Sequence, residues 1–317
     1  MRNLVEIYRC QRRILTVGVT LLAVPILSSC GPNPETLEEL RTAVEQRIVE
    51  SDAETVGFYF RSLRTGDTLF FDVDSRMHAA SMMKVPVMIQ LYRDHEAGRI
   101  NLDDSIPITN TFRSVVDGST YELSATDDSD STLYNRIGQS ESIRLLMERM
   151  ITVSSNLATN ILIDLVDAER VQASMEDLGA DSINVVRGVE DTKAYDAGLS
   201  NTTTARAMGA VFEAIVGGRA ASQPACHEMV EVLSRQQLNE GIPAGVPRRI
   251  RVAHKTGSIT EIQHDGGIVY ERDDPVYLLV IMVQGIADEE AAHELIANLS
   301  RTVWRFASRE PDSPVEE

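Results

Sequence analysis

A chain of 317 residues that is 43% hydrophobic holds enough apolar material for one large domain, and its three cysteines are too few for a disulfide framework. With 48 acidic against 30 basic residues the net charge is −18, which repels nucleic acid and anionic membrane faces, so neither is expected as a partner. The six histidines form no H-E-x-x-H and no tight cluster, and the cysteines form no C-x-x-C, so no metal and no cofactor are expected.

In chain order, residues 1–29 read as an export signal. Arg2, Arg9, Arg12 and Arg13 precede an apolar run, residues 14–27, that suits a signal-peptide core and is short for a membrane span. The run ends in Leu27-Ser28-Ser29-Cys30, which resembles a bacterial lipoprotein box. That resemblance implies a lipid on Cys30, a periplasmic or cell-surface location and a membrane held only through the lipid. An ordinary secretory signal with an incidental Cys30 is the alternative. Residues 1–29 carry four basic residues and one acidic, so the remaining chain has 26 Lys+Arg against 47 Asp+Glu. Residues 30–36 read as a tether, 37–310 as one domain and 311–317 as an acidic tail.

Thr36 and Glu39 form a capping-box pattern, and Leu37, Leu40, Val44 and Ile48 recur at helical spacing behind it. Residues 55–75 predict a hairpin about Thr65-Gly66-Asp67. Helical patterns cover 81–96, 142–150, 156–166, 168–178, 202–215 and 225–238, the last carrying Cys226 as a small buried residue. Residues 103–140 have no period and are rich in Ser, Thr and Asp; a stretch of that length is functional or a mobile insertion. Its acidic run, Asp127, Asp128 and Asp130, is read as a solvated face. Three strand patterns, "RIRVAHKTG", "DGGIVYE" and "DPVYLLVIMVQG", and a long helical pattern over 288–309 close the chain. Strands at both ends with helices between them predict an α+β fold: an antiparallel sheet built from both chain ends and flanked by helices, with an inserted all-helical lobe.

Of the 30 basic residues only Lys84, Lys193 and Lys255 are lysines. Lys84 lies three residues after Ser81, so on a helix the two share a face. A serine hydroxyl needs a base to become a nucleophile. A lysine can serve once its pKa is lowered, whereas arginine is never neutral in a protein. Pro86 is tolerated in a first helical turn, so the helix is expected to start at or just after Ser81, at the positive end of its dipole. Met82, Met83, Val87 and Met88 read as core behind the serine. The pair alone has a bland alternative, a half-buried lysine at a helix start. Lys255 sits in His254-Lys255-Thr256-Gly257-Ser258, at the end of a strand pattern, and Ser154-Ser155-Asn156 opens a helix, where capping is the bland reading. The ordered set S-x-x-K, S-x-N and K-T-G is far more specific than any member.

That set resembles the class A β-lactamases and the penicillin-binding proteins, over roughly residues 37–307. The resemblance implies a helical lobe against a sheet with the site at their junction, no cofactor, a monomer, and a small β-lactam or a cell-wall peptide as partner. It implies Ser81 as acylated nucleophile, Lys84 as its base, and Ser154 as proton donor to the leaving nitrogen. Asn156 would hold the substrate's side-chain amide, and Lys255, Thr256 and Gly257 would bind the substrate, its carboxylate on the first two. Lys255 would also hold down the pKa of Lys84. The N–H groups of Ser81 and Ser258 would form the oxyanion hole. Glu190 matches the family's deacylating glutamate, with three departures. Arg187 stands three residues before it where the family has two, Ala194 replaces an asparagine, and Asn201 replaces the carboxylate that pairs with the loop arginine. An exposed loop carboxylate beside Asp191 is the bland reading of Glu190. His264 or Arg248 stands in for the family's missing carboxylate-binding arginine. Residues 110–136 and 258–266 would shape the pocket. Three functions are compatible with the set: a β-lactamase, a D-alanyl-D-alanine carboxypeptidase or transpeptidase, or a non-catalytic binder of wall fragments.

Overall fold

The structure is a computed structural model that describes residues 33–309. The signal expected over 1–29, the expected lipidation site Cys30 and the expected tail 311–317 lie outside the described residues.

Helix α1 (Leu37–Val49) starts on the capping box: Thr36 Oγ1 accepts from the Glu39 N–H at 3.2 Å, and Glu39 Oε2 accepts from the Thr36 N–H at 3.3 Å. It leads into β1 (Thr55–Ser62), β2 (Thr68–Phe71) and the two-residue β3 (Met77–His78). The central segment holds α2 (Lys84–Glu96), β4 (Ser105–Pro107), β5 (Phe112–Arg113), β6 (Thr120–Tyr121), β7 (Ser140–Ser142), α3 (Ile143–Thr152), α4 (Asn156–Val166) and α5 (Ala168–Asp177). It continues through α6 (Thr192–Asp196), β8 (Thr202–Thr203), α7 (Ala205–Val216), α8 (Gln223–Ser234) and α9 (Ile242–Gly245). The chain ends with β9 (Arg251–Ile259), β10 (Ile262–Glu271), β11 (Asp274–Gln284) and α10 (Glu289–Ala307).

The large sheet runs β2-β1-β11-β10-β9, every pair antiparallel. It is built from both chain ends, as expected. Strand β11 shows why the sheet divides the molecule. Tyr277, Leu279, Ile281 and Val283 join one core with Leu40 and Val44 of α1 and Ile296, Leu299 and Val303 of α10. Leu278, Val280 and Met282 join another with Met208, Val211 and Phe212 of α7 and the helical lobe. Side chains alternate along a strand, so a strand covered on both faces reads as a continuous apolar run. Within the lobe α2 is buried from Lys84 to Tyr92, the signature of a central helix.

Three elements depart from the expected ones. The 81–96 helix opens with a 3₁₀ turn, Ala80–Met83, before the α-helix begins at Lys84. Thr202–Thr203 pair with Met77–His78 as a ladder, and the helix starts at Ala205 with Thr204 as its cap. β-branched threonines favour that extended pairing over a helical turn. The acidic run is not a solvated face: Asp127 is exposed, but Asp128 is 7% and Asp130 6% exposed. Asp130 accepts from Arg149 at 2.8 Å and from Thr132 at 2.6 Å. Half of the partners of the two buried carboxylates, Asn156 and Leu157 of α4 and Arg149 of α3, lie beyond the reach of a local pattern.

Candidate active site

The turn Ala80–Met83, which carries Ser81, is wedged between the sheet and the lobe. Ala80 takes φ 45°, in the left-handed region. Its N–H donates to His78 Nδ1 at 3.0 Å, and the Ala79 N–H donates to the Asn201 carbonyl at 2.8 Å. Strand β9 lies close beneath. A Cβ on Gly257 would meet Ala80 Cβ and Met82 Cγ at 3.2 Å, so glycine there lets strand and turn approach. Ser81 opens onto a cleft of about 770 Å³, shared with Asn156, Glu190 and Ser258 among its walls.

Lys84 is wholly buried beside Ser81. Its Nζ donates to the Ser154 carbonyl at 2.6 Å, to Ser154 Oγ at 3.1 Å and to Asn156 Oδ1 at 2.8 Å. Three acceptors use three N–H bonds of the charged form; deprotonation leaves a lone pair, which is what a serine proton needs. Among the described residues no hydrogen bond joins Lys84 to the Ser81 hydroxyl. Burial lowers the Lys84 pKa to about 7, against the pull of the Asp128 and Glu190 carboxylates. The amine is therefore neutral in part at neutral pH.

Ser154 stands in a left-handed conformation, φ 59°, between α3 and α4. Lys255 Nζ reaches its Oγ at 3.1 Å and the Thr256 carbonyl at 2.9 Å. Two lysines thus donate to one hydroxyl, filling both lone pairs and leaving its own proton free to be given away. Burial first, and the Lys84 charge second, push Lys255 well below the ordinary lysine range. Burial is the leading cause for both amines, ahead of any repulsion between them.

Glu190 accepts from Asn156 Nδ2 at 2.8 Å, so one amide links Glu190 to Lys84. Both ends of that amide are engaged within the protein. Burial raises the Glu190 pKa; the Asn156 hydrogen bond opposes this, and Asp128 and Asp127 add to it. Asn160, four residues on and on the same helical face, clamps the loop by accepting from the Val189 N–H at 2.6 Å and donating to the Val189 carbonyl at 3.0 Å. A Cβ on Gly188 would strike Asn160 Oδ1 at 2.5 Å. Asn201 accepts from the N–H groups of Val186 and Arg187 and donates to the Arg187 carbonyl, while Arg187 donates to the carbonyls of Leu199 and Gly188. The loop is closed by neutral contacts. Asp191 is buried at 2% and accepts from Ser114 Oγ and the N–H groups of Val115 and Ala194, which ties the loop to the 103–140 segment. Lys193, the third lysine, pairs at the surface with Asp117 at 2.8 Å.

Neither proposed substitute for the carboxylate-binding arginine reaches the cleft. His264 pairs across from Gly257 and points beneath the Ser81 turn, where its Nε2 contacts the His78 carbonyl at 3.0 Å. Burial lowers its pKa to about 4, so it carries no charge at neutral pH. Arg248 is exposed and precedes Arg251, the end of β9 remote from Ser258. Asn160 and Asp128 were missed by sequence reasoning. The four-residue spacing from Asn156 could have flagged Asn160.

Known proteins share this arrangement of chain and fold. The model of a family described as "Beta-lactamase enzyme family" matches residues 39–307. The β-lactamase of Sphaerobacter thermophilus DSM 20745 superposes with a TM-score of 0.71 at 27% identity, over 85% of this chain and 98% of its own. A mutant of PBP-A, solved as an acyl-enzyme complex with penicillin G, gives a TM-score of 0.71 at 25% identity, over 87% of this chain and 98% of its own. An ancestral class A β-lactamase gives 0.72 at 20% identity, over 83% and 98%, a likeness of fold. Among curated proteins none matches.

Proposed function

The chain belongs to the beta-lactamase enzyme family, and from that premise we propose that it is a serine β-lactamase of class A type, which hydrolyses the β-lactam amide through an acyl-enzyme on Ser81. The observation that carries the proposal is the chain Lys84–Asn156–Glu190 beside Ser81, because it offers two separate proton acceptors for two half-reactions. In the first, neutral Lys84 takes the Ser81 proton and Oγ attacks the lactam carbonyl. The N–H groups of Ser81 and Ser258 hold the oxyanion, an effect worth several kcal/mol of barrier. The C–N bond breaks as Ser154 gives its proton to the ring nitrogen, and the Lys84 ammonium restores it. Lys255, Thr256 and Gly257 would bind the substrate, its carboxylate on the first two. In the second, Glu190 takes a proton from water, whose oxygen attacks the ester carbonyl; the ester C–O bond then breaks and that proton passes to the departing Ser81 Oγ, which restores both groups. Asn156 steadies Glu190 and faces the substrate's side-chain amide.

A second reading, a D-alanyl-D-alanine carboxypeptidase or transpeptidase, is favoured by the likeness to PBP-A and shares every step to the acyl-enzyme. The two part at deacylation. A chromogenic cephalosporin followed with purified protein gives sustained turnover for a lactamase. A burst of one equivalent that stops would overturn the lactamase reading in favour of the wall enzyme. We also propose export and lipidation at Cys30; failure of Cys30→Ser to abolish labelling by radioactive palmitate would refute it.

A further inference from the structure

Asp128 lies outside every motif, in the aperiodic 103–140 segment, yet its carboxylate is buried against the start of α4. Oδ1 accepts from the Asn156 N–H at 3.0 Å and the Asp130 N–H at 2.9 Å. Oδ2 accepts from the Leu157 N–H at 2.8 Å and the Tyr134 hydroxyl at 3.0 Å. The first N–H groups of a helix have no partner within it, and an anion there is favoured by the helix dipole. Ser155 caps the next free amide, that of Ala158, so serine and aspartate together satisfy three of the orphan donors. Asn156, whose backbone Asp128 holds, is the residue whose side chain joins Lys84 to Glu190.

The charges around it are specific. Lys84 on α2 and Glu190 on the loop both feel the Asp128 charge. Asp127, Asp130 and Tyr134 share its own segment, and Arg149 of α3 neutralises Asp130. Of these groups Lys84 is the buried cation without a carboxylate in direct contact, and Lys255 of β9 faces it across the Ser154 hydroxyl.

We propose that Asp128 is a positioning residue of the acyl-transfer site: its carboxylate seats Asn156 at the start of α4 and supplies the negative charge that balances buried Lys84. What Lys84 and Glu190 do chemically rests on the acyl-enzyme reading; the placement of Asp128 does not. The 103–140 segment is then the part of the chain that completes the site, rather than an insertion beside it.

The chain has three lysines, so protein carrying [13Cε]lysine gives three resolvable groups, and Lys193→Arg and Lys84→Arg assign them. The wild-type Lys84 signal is expected to titrate near pH 7. In Asp128→Asn, which keeps the shape and removes the charge, its midpoint falls by about one pH unit, because the ammonium loses an anion. Asp128→Glu keeps the charge and displaces the geometry, so its midpoint stays near wild type while acylation slows. An unchanged Lys84 midpoint in Asp128→Asn overturns the proposal. If that variant does not fold, amide exchange of the wild type decides: Asn156 and Leu157 should exchange as slowly as the interior of α4, and rapid exchange at both overturns it. Absence of penicillin labelling in the wild type would sink the acyl-enzyme reading and leave the titration result standing.

Discussion

Replacing Glu190 with glutamine separates the two half-reactions. Glutamine keeps the length of the side chain and an oxygen to accept from Asn156 Nδ2, a contact of 2.8 Å, so the loop should stay in place. The clamp of Asn160 on Val189 and the three contacts of Asn201 are untouched by the change. What is lost is the base, and general-base assistance contributes roughly 10²- to 10⁴-fold. Acyl-enzyme release should slow by about that factor, while labelling by a fluorescent penicillin stays within a few-fold of wild type at neutral pH. A second effect has a definite sign. Glu190 helps keep the Lys84 pKa up, so Glu190→Gln lowers it and moves the acid limb of acylation to lower pH. The assay is a pulse of fluorescent penicillin, a chase with unlabelled drug and a gel read-out of retained label. Steady-state turnover equal to wild type would refute the reasoning and reassign the deacylating base.

Lys84→Arg should abolish penicillin labelling, a loss of at least about 10²-fold from removal of the base, since arginine keeps its charge; retained labelling on gels counts against the role of Lys84. Lys84→Met should stabilise the fold near pH 7, because the pKa is about 7 in the folded protein against the ordinary lysine value of 10.5. Between those values the unfolded chain binds more protons, so this group's cost is full below about pH 7 and fades as pH rises toward 10.5, a few kcal/mol in all. Denaturant midpoints at pH 7 and 9.5 should show wild type gaining on the variant as pH rises; parallel values contradict the buried-amine account. Asn160→Ala removes both hydrogen bonds to Val189 and should cost about 1–3 kcal/mol in thermal melts while slowing acyl-enzyme release more than labelling.

Much of the architecture was legible because the relevant signals are local. The Thr36–Glu39 box, the helical spacing of α3 and α4 and the apolar run of β11 each lie within a few turns or one strand. Ser81 and Lys84 were legible for a chemical reason: in a chain that uses arginine almost everywhere, a lysine at a motif position marks a need for a cation that can lose its proton. The illegible parts are those whose meaning is set at a distance. Asp128 looks like one acid in a polar run until α4 turns two bare N–H groups toward it from Asn156 and Leu157. His264 has the right chemistry to bind a carboxylate, but register decides otherwise: opposite Gly257, it faces the underside of the Ser81 turn and is kept neutral by burial. The same burial makes Lys84 useful. Burial lowers the pKa of both bases, that of His264 to about 4 and that of Lys84 to about 7, and the two differ in the groups around them. Neutral His264 is left with an Nδ1 that has no partner among the described residues, whereas Lys84 has Ser154 and Asn156 to receive its protons and Asp128 and Glu190 to support its charge. An amine poised near neutrality thus depends on carboxylates brought in from two distant loops, which is why the pair Ser81–Lys84 is only half of the site that the chain builds.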